Sequence, residues 1–142
     1  MPIRRVSPEE AKALVDSESY VYVDVRSVPE FEAGHPEGAY NVPLAHLGPA
    51  GMAPNPDFLA VMQSNFPKDS KLVVGCRSGG RSLQAATLLQ SAGYTNVVDQ
   101  RAGFEGAPGP SGGEPGWSRR NLPVSRQAPL DHSYEGLKGK TQ

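Results

Sequence analysis

Hydrophobic residues in this chain fall into short groups whose spacing alternates between two periods. Tyr20-Val-Tyr-Val-Asp24, Leu72-Val-Val74 and Asn96-Val-Val-Asp99 are brief runs rich in β-branched or aromatic residues, bounded by polar residues or glycine. Runs of that length and composition predict buried strands. Between them, Ala11, Leu14 and Val15, then Phe58, Val61 and Met62, then Leu83, Ala86 and Leu89 with Leu88 beside them, recur at helical spacing. Ser7-Pro-Glu-Glu10 predicts a helix start, with Ser7 as cap, Pro8 in the first turn and Glu10 closing a capping box. Asn55-Pro-Asp57 predicts another, with Asn55 as cap and Pro56 at the first position, and Phe66-Pro67 ends it. A third helix is expected from Ser82 to the stop signal Ala92-Gly93. Val28 to Gly34 reads as a short helical turn, Ala39 to Val42 as a short strand stopped by Pro43, and Gly48 to Pro54 as a loop. Strands alternating with helices predict an α/β fold, an open and mostly parallel sheet flanked by helices on both faces.

The length of 142 residues suits one domain with a real core. No internal repeat is visible, and a single domain is expected over residues 1–124. Ala107 to Gly116 is too rich in glycine and proline for regular structure. Trp117 is expected to pack against the domain and Leu122-Pro-Val124 to close it. Residues 125–142 read as a polar tail, poorly ordered or lying along the surface. With 14 basic and 15 acidic residues the formal charge is −1, which gives no case for nucleic acid or an anionic membrane as partner. The N-terminal Met1-Pro-Ile-Arg-Arg-Val-Ser-Pro8 has no apolar targeting core and no run reaches membrane-spanning length, so a soluble, cytoplasmic protein is expected.

The chain has one cysteine, which excludes an intrachain disulfide. It stands at the head of Cys76-Arg-Ser-Gly-Gly-Arg-Ser82, between a predicted strand and a predicted helix. A glycine-permitted loop at a helix N-terminus turns backbone N–H groups inward and forms an anion cradle. Such a position, with Arg77 and Arg81 nearby, favours the thiolate form of a cysteine. Two functions follow: a nucleophile, or a sulfur carrier in persulfide form. The plain alternative, a small buried hydrophobe, has no need of two arginines and a glycine pair. Asp24 and Arg26 close the first strand, where open α/β sheets bind ligands; by composition alone they fit a surface ion pair or a turn cap. His46 and His132 lack the partner spacing of metal ligands, and no metal is expected.

The loop resembles the active-site loop of single-domain rhodaneses, the thiosulfate sulfurtransferase family. Tyr22-Val-Asp24-Val-Arg26, Glu30-Phe31 and Gly34-His-Pro-Glu-Gly-Ala-Tyr-Asn-Val-Pro43 resemble that family's first signature. Ala92-Gly-Tyr-Thr-Asn-Val97 and Gly103-Phe104 resemble the segment after its active-site helix. The similarity runs from about Ser7 to Val124 and implies a rhodanese-like α/β fold. It implies Cys76 as the catalytic residue and Arg77, Ser78, Gly79, Gly80, Arg81 and Ser82 as the substrate-binding loop. Asp24 and Arg26 are then support beneath the loop, and His35 is a structural part of a Gly-His turn. A compact member is expected to run from the Gly-Phe segment directly into a helix carrying a tryptophan, so the resemblance implies that Ala107 to Gly116, standing before Trp117, is an insertion: either a flexible loop bordering the active site or a plain surface excursion. The reaction implied passes a sulfane sulfur from thiosulfate, or a related donor, through a Cys76 persulfide to a thiophilic acceptor such as cyanide. No organic cofactor is needed.

A persulfide carrier or sensor working with a thiol protein stays open beside the enzyme. Cysteine phosphatases and arsenate reductases are the rival chemistry. The phosphatase loop has five residues between cysteine and arginine; here only Arg77 to Gly80 lie between, which leaves less room for a tetrahedral oxyanion. Donor, acceptor and oligomeric state are not readable from the sequence.

Overall fold

A computed structural model describes residues 3–107 and 113–139. In chain order the first half comprises β1 (Arg4–Val6), α1 (Pro8–Ser17), β2 (Val21–Asp24), α2 (Val28–Ala33), β3 (His35–Pro36), β4 (Tyr40–Asn41), β5 (Ala45–Gly48) and β6 (Gly51–Pro54). The second half comprises α3 (Phe58–Asn65), β7 (Lys71–Gly75), α4 (Gly80–Ser91), β8 (Asn96–Gln100), β9 (Gly106–Ala107), β10 (Glu114–Pro115), β11 (Val124–Ser125) and α5 (Tyr134–Gly139).

Five strands form one all-parallel sheet in the order β1-β8-β7-β2-β4. Alternation along each strand sends residues to two cores. Val23, Leu72, Val74 and Val97 face one side, where Phe58, Val61 and Met62 of α3 and Ala85, Ala86 and Leu89 of α4 cover them. Tyr22, Val73 and Val98 face the other, against Ala11 of α1, Phe31 of α2 and Trp117. Helices therefore cover both faces, as the alternating pattern predicts. The chain leaving β2 moves outward to β4, whereas the chain leaving β7 moves the opposite way to β8. The carboxyl ends of β2 and β7 thus border a switch point, where open α/β sheets form their crevice. Asp24 ends β2, and Cys76 directly follows β7.

Local signals account for most boundaries. Ser7 accepts the Glu10 N–H and Glu10 accepts the Ser7 N–H, the reciprocal box expected at the start of α1. Other boundaries need correction. The third long helix starts at Gly80 rather than Ser82, and Leu88 points to solvent instead of the core. Helix α3 starts at Phe58, after Pro56 and Asp57 form a turn. Asn55 is not its cap: its Oδ1 accepts the Asp57 N–H, and its Nδ2 donates to the Pro43 carbonyl and the Tyr134 hydroxyl. The Gly48–Pro54 loop is instead an antiparallel hairpin, β5 with β6, whose Gly48-Pro-Ala-Gly51 turn lets Leu47 oppose Met52. Trp117 packs as expected, edge-on to Tyr22 with its indole N–H donating to the Pro123 carbonyl, but it sits in a 3-10 turn of three residues.

The polar tail expected from 125 contributes to the fold. Ser125 lies in β11, which pairs with β3, and α5 places buried Tyr134 and Leu137 in the α3–α4 core. Apolar residues there are too few and too widely spaced to show a periodicity, so nothing local signals the packing. The Gly/Pro insertion enters and leaves through paired β9 and β10; its centre, 108–112, lies outside the described residues.

Candidate active site

Strand β7 delivers Cys76 to the crevice, and Gly79 turns the chain back into α4. Gly79 adopts a left-handed φ of 101°, which aims its N–H at Cys76 Sγ, 3.1 Å away. The sulfur also meets Ser82 in the first turn of α4: the Cys76 thiol donates to Ser82 Oγ at 3.4 Å, and Ser82 Oγ donates to the Gly79 carbonyl at 3.3 Å. Cys76 is buried, 2% exposed, with the positive end of a twelve-residue helix behind it. The expected cradle runs from Arg77 to Ser82, and in this structure Gly79 supplies the N–H directed at the sulfur.

A second loop buttresses the first. Phe104 N–H donates to the Cys76 carbonyl at 2.7 Å and Glu105 N–H to the Arg77 carbonyl at 2.9 Å. Gly103 permits that approach: its φ is 70°, and a Cβ there would come within 2.7 Å of the Cys76 carbonyl oxygen. Gln100 fixes the turn, accepting from Ala102 and Gly103 N–H and donating to the Gly103 carbonyl. Asp24 and Arg26 reach the loop through this layer. They form a buried ion pair at 2.7 Å, and Arg26 also donates to the Gly34 carbonyl and lies 4.5 Å over the Phe104 ring. Burial opposes the charge on Arg26, and Asp24 beside it outweighs burial and keeps the guanidinium above its ordinary range. Neither residue contacts Cys76 by a hydrogen bond among the described residues.

The loop arginines differ in how they are held. Arg81 makes a two-pronged contact with Glu30 of α2, at 2.7 and 3.0 Å. Glu30 also accepts from Ser27 N–H and Oγ. Burial pushes the Glu30 carboxyl up, but the Arg81 and Ser27 hydrogen bonds outweigh it and hold it at about 2. Arg81 is thus a strut between α2 and α4. Arg77 pairs with Glu105 at 3.0 Å, with both side chains largely in solvent, 60% and 49% exposed. Exposed pairs of this kind contribute about 0–1 kcal/mol and exchange readily. Ser78 and Gly80 complete the turn. Sequence reasoning missed Glu30, Glu105 and Gln100 as site residues; only the Glu30-Phe31 and Gly103-Phe104 motif segments hinted at their region.

His35 is structural as expected, its ring stacked 3.7 Å from Phe31 and its Nδ1 2.7 Å from the Phe31 carbonyl. His132 stacks on Tyr40 and His46 tilts against Tyr134. Among the described residues no three His, Cys, Asp or Glu side chains gather where a metal could sit.

Known proteins resemble this chain in sequence and in fold. Residues 7–107 match the family described as "Rhodanese-like domain". The chain is 43% identical over 103 residues to "Thiosulfate sulfurtransferase 16, chloroplastic" of Arabidopsis thaliana, covering 72% of this chain and 78% of that protein. It is 40% identical over 120 residues to "Senescence-associated protein DIN1" of Raphanus sativus, covering 84% of this chain but only 57% of that longer protein. Among solved structures, Rv0390 from M. tuberculosis superposes with a TM-score of 0.73 at 29% identity, covering 89% of this chain and all of that one. With a cysteine loop at the switch point of a parallel sheet and these matches across most of its length, the chain belongs to the rhodanese-like domain family.

Proposed function

We propose that this protein is a sulfurtransferase that takes a sulfane sulfur from thiosulfate, or a donor like it, onto Cys76. The observation that carries the reading is the Cys76 sulfur beneath the Gly79 N–H at the start of α4, in a chain whose relatives include a named thiosulfate sulfurtransferase. A thiolate there attacks the outer sulfur of the donor. The donor S–S bond breaks, sulfite departs with the electron pair, and Cys76 is left as a persulfide anion. The Gly79 N–H and the helix dipole stabilise the anionic sulfur without reorganising. An acceptor such as cyanide then attacks the outer sulfur and leaves as thiocyanate, regenerating the Cys76 thiolate. Ping-pong kinetics is expected, with parallel double-reciprocal lines for thiosulfate and cyanide; intersecting lines would contradict a covalent intermediate. The reducing interior of the cell suits a free thiol that must stay unoxidised.

Donor recognition falls to Arg77, because Arg81 is committed to Glu30. A dianionic donor must draw Arg77 away from Glu105. Glu105→Gln is therefore expected to lower the KM for thiosulfate by about 3- to 10-fold with kcat nearly unchanged, and Arg77→Gln to raise it. Steady-state kinetics checks both; equal KM values in all three proteins would remove Arg77 from donor binding.

A second reading, a persulfide carrier for a protein partner, is favoured by one observation. Beside Arg81 lies a cleft lined by Leu44, Ala45, Pro54, Phe58 and Leu88, next to the exposed Leu47 and Met52 of the hairpin. Turnover with free thiosulfate and cyanide supports the enzyme; loading without turnover supports the carrier.

A further inference from the structure

Strand β1 carries an arginine to the Cys76 loop from the sheet beside it. Val6, wholly buried, anchors the strand, and its carbonyl accepts from Arg101 N–H. The register places Arg5 next to Asp99 of β8. Asp99 shares the face of Val97, two residues away, which α4 covers. The Asp99 carboxylate is wholly buried, and its Oδ2 accepts from Arg5 Nε at 2.7 Å. Nη2 of the same guanidinium goes on to the Gly79 carbonyl, at 3.4 Å. That carbonyl also accepts from Ser82 Oγ and Leu83 N–H, each at 3.3 Å. Both of these donors belong to the first turn of α4 and move with it. Arg5 is tied instead to the sheet.

We propose that Arg5 is a positioning residue that holds Gly79, and so the N–H aimed at Cys76, by bridging it to Asp99. The role rests on Cys76 being the reactive group, as in the function proposed above. Glycine has more backbone freedom than any other residue, and Gly79 keeps a left-handed φ of 101°. Its N–H, 3.1 Å from Cys76 Sγ, and its carbonyl flank one Cα, so a carbonyl left to swing disturbs the N–H. A charged donor grips a carbonyl about twice as firmly as a neutral one. The guanidinium is also planar, so Nε on Asp99 fixes where Nη2 points. A lysine there is a compact charge on a flexible stem and loses that alignment. Arg5 precedes residues 7–107, which match the rhodanese-like family, so the bridge reaches the loop from outside the matched stretch.

Two substitutions separate the bridge from the charge. Arg5→Lys keeps the charge and loses the fork, and Arg5→Gln loses both; the side chain is 40% exposed, so both variants are expected to fold. Single-turnover loading of Cys76 from thiosulfate is expected to slow about 10-fold in each, less than the roughly 100-fold loss of a whole N–H donor. The thiosulfate concentration at half-maximal rate should stay within about 2-fold. Arg4→Gln, the same loss of charge at the exposed neighbouring position, should leave the rate unchanged. A second readout needs no sulfur donor. Hydrogen exchange of the Gly79 amide, followed by NMR, is expected to be about 10-fold faster in Arg5→Lys and Arg5→Gln than in the unsubstituted protein. Full-rate loading by Arg5→Lys, or an effect on half-saturation alone, would make Arg5 a charge acting through space and overturn the bridge. Lower melting temperatures with loading and Gly79 exchange unchanged would reduce it to a stabilising ion pair and overturn it as well. If the unsubstituted protein takes sulfur from no donor, the proposed reaction fails, and Gly79 exchange alone decides the bridge.

Discussion

Gly79→Ala is expected to slow sulfur loading of Cys76 by about 100-fold, the loss seen when one preorganised N–H donor leaves an anionic centre. Two constraints act together at this position. Its φ of 101° lies in the left-handed region, which costs an L-residue about 1–2 kcal/mol. A Cβ there would also run into the Arg101 carbonyl oxygen, which cannot yield easily because Arg101 N–H is bound to the Val6 carbonyl. The peptide must rotate, and its N–H leaves the sulfur. Stability is expected to fall by about 3 kcal/mol, as for other residues forced into strained backbone. Gly80 is the control, since nothing lies within 4 Å of a Cβ there and alanine suits a helix start, so Gly80→Ala should leave loading and stability close to unchanged. Thermal melts and single-turnover loading check both, and equal loading by Gly79→Ala and Gly80→Ala would remove the N–H from the mechanism.

Arg81→Ala is expected to lower stability by about 2 kcal/mol, between the values for exposed and buried pairs broken from one side. It frees α4 from α2 and leaves the half-buried Glu30 with Ser27 alone. The effect carries a pH signature. Glu30 is held at about 2, below its unfolded value near 4.5, so the unfolded chain binds the proton more readily. The stabilisation is therefore present above about pH 4.5 and is lost as pH falls toward 2. Urea titrations should show the unsubstituted protein losing its advantage over Arg81→Ala across that window. A gap that persists at pH 2 would mean that the arginine acts through packing rather than charge.

The parts of the molecule legible in the sequence are those encoded within a few residues. The β-branched runs at Tyr20–Asp24, Leu72–Val74 and Asn96–Asp99 became neighbouring central strands, and the Ser7–Glu10 box starts α1. The Cys76 loop was legible because a lone cysteine, two glycines and two arginines have few other reasons to stand together. What was not legible lies in pairings between distant segments. β1 carries two arginines and buries only Val6, so it reads as a strand only once β8 is beside it. Helix α5 shows its apolar side through just Tyr134 and Leu137. The partners of the site arginines, Glu30 for Arg81 at 51 residues' separation and Asp99 for Arg5 at 94, follow from topology alone. Charge counting supplied cations to the loop but could not show that carboxylates already hold them.

Whether Cys76 carries a sulfane sulfur, as proposed, is read directly by intact mass. The protein is mixed with thiosulfate, freed of excess reagent and weighed, then treated with cyanide and weighed again, with Cys76→Ser alongside. A gain of one sulfur atom is expected, removed by cyanide and never shown by Cys76→Ser. A gain retained by Cys76→Ser, or no gain from thiosulfate, 3-mercaptopyruvate or glutathione persulfide, would contradict the proposal.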